Sequence, residues 1–178
     1  FFAEGRIPIV QEMILATDED ARSRALERLR PFQEDDFAGI FRAMSGLPVT
    51  IRLLDPPLHE FLPSLLELSL EVEHQRSTGQ IDLDLMRRLG RVQELHEQNP
   101  MLGLRGCRLG LMIPDVVKVQ TRAILNALIA VQRTGGHPKA KIMIPLVGHV
   151  NELAVTKAIL EKEAKAVEAE AGVDAEYV

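Results

Sequence analysis

The chain has 178 residues, of which 46% are hydrophobic and 26% are charged, a balance typical of a globular domain with a sizeable core. Its formal net charge of −5 argues against nucleic-acid binding, and it means that local arginines must hold any anionic ligand. No stretch approaches the roughly 18 apolar residues that span a bilayer, and the first residues do not resemble a signal peptide.

Helical spacing of apolar residues dominates the first part of the chain. It predicts a helix over residues 7–16, followed by a second helix that Thr17 caps and that runs towards Leu29. Pro31 then opens a third predicted helix, which Gly46 ends.

The middle of the chain alternates between strand and helix signals. A strand is predicted over 49–54, and residues 61–98 read as a helical excursion with two leucine-rich stripes. The sequence Ser77-Thr78-Gly79 separates these stripes. A second strand is predicted over 104–112.

The last third continues the same alternation. Pro114 opens a helix, 141–147 forms a strand, and 150–170 forms a long helix before a further strand begins at 175–178. This order predicts a parallel α/β sheet with three whole strands and the start of a fourth. The pattern by itself permits part of a (β/α)8 barrel or a small open sheet.

Arg52 is the first candidate binding residue, because it lies near the end of the first predicted strand. A guanidinium beside a sheet is costly to bury unless an anion pairs with it, and ligands bind at the carboxyl ends of parallel strands. Arg52 is therefore a candidate for binding a phosphate or a carboxylate. The alternative is an internal ion pair with Asp55 or Glu60.

Other side chains give weaker signals. His59 lies in the loop after the strand, where it either orders Asp55 or Glu60 or faces solvent. The five histidines form no metal-binding pattern, and no phosphate-binding glycine loop is present. Cys107 is the single cysteine in the sequence, which excludes an internal disulfide and fits a reducing compartment. Its apolar neighbours in the sequence favour a buried side chain over a reactive thiol.

Three segments carry a resemblance to the pyruvate, phosphate dikinase family, in its phosphoenolpyruvate-binding domain. Residues 49–63 read VTIRLLDPPLHEFLP, residues 99–109 read NPMLGLRGCRL, and residues 142–148 read IMIPLVG. Weaker similarity extends the resemblance over nearly the whole chain. The run LDPPLHE is long and chemically unusual, which makes a chance match improbable.

The resemblance implies a fold and two binding residues. The domain in that family is a TIM-type barrel, so residues 1–178 would form a partial (β/α)8 barrel, roughly strands two to five, with the helical excursion at about 61–98. Arginines at the positions of Arg52 and Arg105 contact the phosphoryl group of phosphoenolpyruvate in the family. Asp55, His59 and Glu60 follow the first predicted strand in this sequence and are candidate neighbours of these arginines. Leu104 stands where the family usually has histidine.

Arg108 is expected to face the opposite side of the strand that carries Arg105, three residues away. A structural ion pair is the expected role for this arginine, rather than a contact to ligand.

The resemblance also implies an activity for a longer protein. The family interconverts ATP, pyruvate and phosphate with AMP, phosphoenolpyruvate and diphosphate through a phosphohistidine on a separate domain. Its Mg2+ ligands and its proton-donating cysteine are expected beyond Val178, so Cys107 is not that cysteine and no catalytic residue or metal ligand is assigned within the chain. The chain lacks an initiating methionine, and we expect it to be a fragment that is inactive alone.

The expected partners follow from the same family. They are phosphoenolpyruvate or pyruvate, the phosphohistidine domain of the parent chain and further copies of the protein, in the cytoplasm, without nucleic acid or membrane. A phosphoenolpyruvate synthase or a phosphotransferase enzyme I relative is the alternative enzyme, although LDPPLHE speaks against both. A non-catalytic regulatory or scaffolding module, using the helices of 61–98, is the alternative outside enzymes.

Overall fold

The computed structural model describes residues 5–55, 60–79, 82–96 and 103–178. These residues form helices and a small parallel sheet, so the predicted α/β class is confirmed. The elements in chain order are α1 (Ile7–Leu15), α2 (Glu19–Ala43), β1 (Pro48–Arg52), α3 (Leu65–Thr78), α4 (Leu83–Leu95), α5 (Cys107–Met112), α6 (Pro114–Arg133), β2 (Lys139–Met143) and α7 (Val150–Ala171).

The chain divides into two compact units. The first contains residues 1–25 and 57–104, and the second contains 26–56 and 105–178. The boundary between them falls within helix α2. No helix in the described ranges combines the length and the apolar character needed to cross a membrane.

Helix α2 replaces the two helices that the sequence predicted between residues 17 and 46. Its N-terminal cap is Asp18 rather than Thr17, because the side chain of Asp18 accepts a hydrogen bond from the backbone N–H of Ala21 at 2.7 Å. Pro31 lies inside the helix and does not end it. Arg30 pairs with Glu27 and Glu34, so side-chain contacts run across the proline and help to offset its cost of about 3 kcal/mol.

The first unit contains two helices, α3 and α4, in the range that the sequence predicted to be helical. Ser64 caps α3 by accepting the backbone N–H of Glu67, and Asp82 caps α4 in the same way. Gly79 ends α3 in the left-handed conformation that favours glycine. The buried face of α3 differs from the predicted stripe, since its buried residues are Leu68 and Val72. The predicted stripe residues Leu66 and Leu70 are exposed.

The second unit is built on the β1–β2 pair. The two strands run parallel and are directly hydrogen-bonded, with Arg52 opposite Met143 at their carboxyl ends. Helix α6 begins at Pro114 as predicted, and it packs against α7. The core of this unit consists of large apolar side chains from these elements and from α2, among them Phe41, Ile51, Leu53, Ile124, Leu125, Leu128, Leu160 and Val167.

The strand predicted over 104–112 is wrong, because Cys107–Met112 is the helix α5. Gly106 has φ +58 and ψ −135, which breaks an extended path immediately after Arg105. Gly110 then packs so tightly that a Cβ there would lie 2.6 Å from Cγ2 of Val117.

The other strand boundaries are also shorter than predicted. The strand predicted over 141–147 is β2, which ends at Met143. The strand predicted to begin at 175–178 is present as one parallel bridge between Ala140 and Tyr177. Val178 completes it, since its N–H donates to the carbonyl of Ala140 at 3.0 Å.

Candidate functional site

Arg52 lies at the carboxyl edge of the small sheet. It is the last residue of β1, and its side chain is 54% exposed. The edge of a parallel sheet where strands end is the usual place for a ligand in an α/β fold. The predicted position of Arg52 is therefore reproduced, with its guanidinium on the open side.

Asp55 brings both predicted arginines together. Its Oδ2 forms one ion pair with Nη2 of Arg52 and a second ion pair with Nη2 of Arg105, at 3.3 Å. Nε of Arg105 also donates to the backbone carbonyl of Asp55 at 3.0 Å. The internal ion pair that the sequence offered as an alternative for Arg52 is thus present, and Arg105 shares it.

The three side chains differ strongly in exposure. The Asp55 side chain is 9% exposed and the Arg105 side chain 14%, whereas more than half of Arg52 faces solvent. Asp55 and Arg105 therefore form a buried base from which the Arg52 guanidinium projects. Of the three side chains, Arg52 is therefore the most accessible to solvent.

The loop that carries Asp55 is held by contacts from distant parts of the chain. The backbone N–H of Leu54 donates to Oε1 of the buried Gln120 on α6, at 2.7 Å. The N–H of Leu53 donates to the carbonyl of Met143 at 3.0 Å. A hydrogen bond from a buried amide to a buried side chain fixes the loop, because neither group has water as an alternative partner.

Gly106 closes the other side of Asp55. A Cβ at this position would lie 3.2 Å from Oδ1 of Asp55, and 3.1 Å from both the carbonyl oxygen of Pro145 and Cβ of Leu146. Oδ1 of Asp55 is buried without a hydrogen-bond partner among the described residues. The carboxylate is therefore confined between the Gly106 turn and the two arginines.

The cavity behind this loop is too small for a ligand. It is lined by residues that include Leu54, Gly106 and Gln120, and its volume is about 10 Å3, room for one water molecule. A phosphoryl group does not fit in this cavity, and the exposed part of the site is the side chain of Arg52.

Cys107 lies next to this loop and is buried, as predicted. Its backbone N–H donates to the carbonyl of Pro145 at 3.1 Å, and its Sγ lies 3.3 Å from the carbonyl of Leu146. Burial raises the pKa of the Cys107 thiol, and the nearby charge of Glu152 raises it further. These surroundings favour the neutral thiol and a packing role.

Glu152 is a structural residue that the sequence analysis missed. It accepts hydrogen bonds from the backbone N–H groups of Gly148 at 2.8 Å and His149 at 3.0 Å, which lower the pKa of its carboxyl. It forms a capping box with His149 at the start of α7. The signal was present in the sequence, as an acidic residue three positions after the cap. Gln120 is the other residue missed, and no local pattern points to it.

The prediction that Arg108 faces the opposite side of a strand is wrong, because the strand is absent. It belongs to the first turn of α5, and its positive charge lowers the pKa of Glu152. The expected structural role of Arg108 is consistent with this placement, whereas the strand geometry that suggested it is absent.

The whole chain matches a known family. The family model described as "PEP-utilising enzyme, PEP-binding domain" matches residues 1–177, PEP being phosphoenolpyruvate. The chain belongs to this family. Its relatives include pyruvate, phosphate dikinases from Giardia intestinalis, 45% identical over 177 residues, Rhizobium meliloti, 48% identical over 179 residues, and Clostridium symbiosum, 43% identical over 178 residues.

These alignments cover 99–100% of this chain and 19–20% of each relative. The PEP-binding domain described here thus spans about a fifth of the length of these dikinases. The predicted family membership is confirmed over essentially every residue.

The sequence predicted two further neighbours for Arg52 and Arg105, in addition to Asp55. His59 lies outside the described residues, and Glu60 is exposed. In the described ranges, no group of three or more His, Cys, Asp or Glu side chains is arranged to hold a metal ion.

Proposed function

We propose that this chain is the PEP-binding part of a pyruvate, phosphate dikinase, a phosphotransferase that interconverts ATP, pyruvate and phosphate with AMP, phosphoenolpyruvate and diphosphate. The observation that carries the proposal is the meeting of Arg52 and Arg105 at the carboxyl edge of β1. The identity of 43–48% to three dikinases along the whole chain supports it, and it favours a dikinase over a synthase or an enzyme I relative.

Arg52 is the proposed primary contact to the phosphoryl group of phosphoenolpyruvate. A guanidinium offers five N–H donors in a planar fork, and Asp55 engages Nη2 of Arg52. The exposed donors can pair with two phosphoryl oxygens at once, which lysine cannot do. Arg105 adds positive charge directly behind this contact, and we propose that it also acts on the phosphoryl group.

The proposed role of these arginines is electrostatic stabilisation of the phosphoryl group. Phosphoryl transfer needs its reactants positioned and the charge on the phosphoryl oxygens neutralised as the bond to the leaving oxygen breaks. A guanidinium that is already fixed before the ligand arrives provides this without reorganisation during the reaction. The ion pairs through Asp55 supply that fixation.

The finer architecture belongs to the same proposal. Residues 1–178 would form part of a (β/α)8 barrel, with the helices of about 61–98 as an excursion from it. Because Cys107–Met112 is a helix, the described residues would supply β1, β2 and the bridged residue Tyr177 rather than the four strands that the sequence predicted. The β1–β2 pair and the bridge at Tyr177 support parallel packing of successive strands. The match of the family model to residues 1–177 supports one domain.

The proposed partners are phosphoenolpyruvate and pyruvate, a phosphohistidine domain of the same protein, and further copies of the chain, in the cytoplasm. Mg2+ is the proposed cofactor, with ligands expected from residues beyond Val178, and no step described here depends on it. When bound, the metal would supply neutralising charge for phosphoryl and enolate oxygens.

The test is an Arg52→Ala variant of the complete dikinase that contains this chain. We expect turnover of phosphoenolpyruvate to fall at least about a hundredfold, since loss of a charge-assisted contact to a transferred phosphoryl group costs about 3 kcal/mol or more. Arg52→Lys should also lose most activity, because lysine keeps the charge but not the two-pronged contact.

Arg87→Ala is the matched control, because this arginine sits in an exposed ion pair with Asp84 on α4. It should leave the kinetics of phosphoenolpyruvate unchanged. Normal kinetics in Arg52→Ala would overturn the proposed role of this site.

A further inference from the structure

We infer that Asp55 is a positioning and specificity-determining residue of the phosphoryl site, which holds both arginines in place and cancels one of their two positive charges. The inference rests on the proposed function of the site. It concerns a carboxylate that lies where it competes with an anionic ligand for the same guanidinium groups.

The first step is charge. Arg52, Arg105 and Asp55 together carry +1, whereas the two arginines alone would carry +2. A phosphoryl group and a free dianion such as sulfate present similar oxygens to a guanidinium, so an uncompensated pair of arginines would attract both strongly. The internal carboxylate lowers that general attraction. Binding then depends more on the geometry of the ligand and less on its charge.

The second step is position. Oδ2 of Asp55 binds Nη2 of both arginines, and the Asp55 carbonyl receives Nε of Arg105 at 3.0 Å. Arg105 is thereby tied to one residue at two points. Arg52 keeps its remaining donors on the solvent side, where more than half of its side chain is exposed. The carboxylate therefore aims Arg52 while leaving it free to bind a ligand.

The third step is the rigidity of Asp55 itself. Its Oδ1 is buried beside Gly106, 3.2 Å from the position that an added Cβ would occupy, so the carboxylate fits there because residue 106 is glycine. The Leu54 N–H bond to Gln120, at 2.7 Å, fixes the preceding residue. A buried carboxylate that follows a fixed residue can position both guanidinium groups, whereas a mobile one could not.

The experiment uses the complete dikinase and compares Asp55→Asn with Asp84→Asn. Both replacements remove one negative charge that pairs with arginine, but the Asp84 pair with Arg87 is exposed and lies on α4. The measured quantities are kcat and KM for phosphoenolpyruvate, the constant for competitive inhibition by sulfate against phosphoenolpyruvate at fixed ionic strength, and the melting temperature.

We expect Asp55→Asn to tighten sulfate inhibition about fivefold or more, since one unit charge at about 4 Å is worth at least this much even in water. We expect kcat to fall about tenfold or more without a rise in KM, because the arginines are no longer aimed. Asp84→Asn should change none of these quantities.

Asp55→Glu separates charge from position. It keeps the negative charge but moves the carboxylate by one methylene against the Gly106 turn, so the sulfate constant should stay within about twofold of the wild-type value while kcat falls. If Asp55→Asn fails to fold, Asp55→Glu still tests the positioning role of Asp55, because an unchanged kcat in this variant would overturn that role.

Three results would overturn the inference when Asp55→Asn melts at the wild-type temperature. They are an unchanged sulfate constant, an unchanged kcat, or equal effects from Asp84→Asn. Failure of the proposed function looks different, since Arg52→Ala would then keep normal kinetics whatever Asp55 does.

Discussion

The carboxylate of Asp55 connects every residue of the candidate site that the structure describes in detail. The sequence offered two roles for Arg52, a ligand contact and an ion pair with Asp55 or Glu60, and the structure contains the ion pair with Asp55. The two roles are compatible, because Asp55 engages Nη2 of Arg52 and the guanidinium remains exposed. Whether Arg52 also binds phosphoenolpyruvate stays a prediction.

Gly106 is the residue whose replacement should disturb the site through the backbone. Its φ of +58 is costly for residues with a Cβ, and a Cβ would meet backbone and side-chain atoms at 3.1–3.2 Å. We expect Gly106→Ala to lower the free energy of unfolding by about 2 kcal/mol or more, measured by urea denaturation.

Gly39→Ala is the control for this prediction. Gly39 lies inside α2 with no atom within 4 Å of a new Cβ, so alanine should raise stability by about 0.5–1 kcal/mol. Equal urea midpoints for the two variants would show that the Gly106 turn is not constrained as described.

At the scale of elements, helix boundaries followed local signals and strands did not. Helices α1 and α7 end within one residue of their predicted limits, and α6 begins at Pro114 as predicted, because caps, prolines and glycines act over three or four residues. Helix α5 was predicted as a strand, since six residues are too few to separate the two periods. Helix α2 absorbed a predicted boundary at Pro31 because packing and ion pairs outweighed one lost hydrogen bond.

The contact between α6 and α7 depends on Arg122. Its Nε donates to Glu163 at 2.7 Å, and its two terminal nitrogens donate to both oxygens of Glu170 at 2.6 and 3.0 Å. The hydrogen bond to Glu170 is the main cause that raises the pKa of Arg122, and the same bond lowers the pKa of the Glu170 carboxyl.

We therefore expect Arg122→Met to destabilise the protein at neutral pH. The partly buried part of the contact, between Arg122 and Glu163, should account for about 1 kcal/mol in urea denaturation. Arg76→Met is the control, because its pair with Glu73 at 3.6 Å is exposed, and it should change stability by less than about 0.5 kcal/mol.

The same variant should also change how stability depends on pH. The pKa of Glu170 is lower in the folded than in the unfolded chain, so the pair stabilises above the unfolded pKa of about 4.3. That contribution is lost as the pH falls through the lower folded pKa. Between about pH 5 and about pH 3, stability should therefore fall less in Arg122→Met than in the wild type. Parallel pH profiles would contradict the assignment.

At the scale of the whole chain, the described sheet is small and its outer edge is open. Strand β1 pairs with β2 on one side, and within the described ranges no strand covers its other side. Large apolar side chains are exposed near both strands and on α7, including Leu47, Val150 and Val178. Unpaired strand edges and exposed apolar surface both favour association between chains.

We expect the 178-residue chain, expressed by itself, to self-associate. Sedimentation at several concentrations should give an average mass that rises with concentration, with a broad or low melting transition. A monomer at all concentrations, with a cooperative melting transition at high temperature, would show that the exposed edge is protected in solution.

The sequence by itself determined the α/β class, the family and most helices, and it named Arg52 and Arg105 as candidate binding residues, because these inferences depend on local periodicity, capping residues and short motifs. Tertiary structure decided the rest. It decided that Cys107–Met112 forms a helix. It also decided two contacts between distant residues, the pairing of β1 with β2 across 91 positions and the hydrogen bond of Leu54 to Gln120 across 66 positions. The contact of Arg105 with Asp55 spans 50 positions, and no local pattern encodes which carboxylate two arginines will share. The ion pair of Arg52 with Asp55 is local, three positions apart, whereas packing decides that Arg105 joins it, because a buried guanidinium is costly without a paired anion.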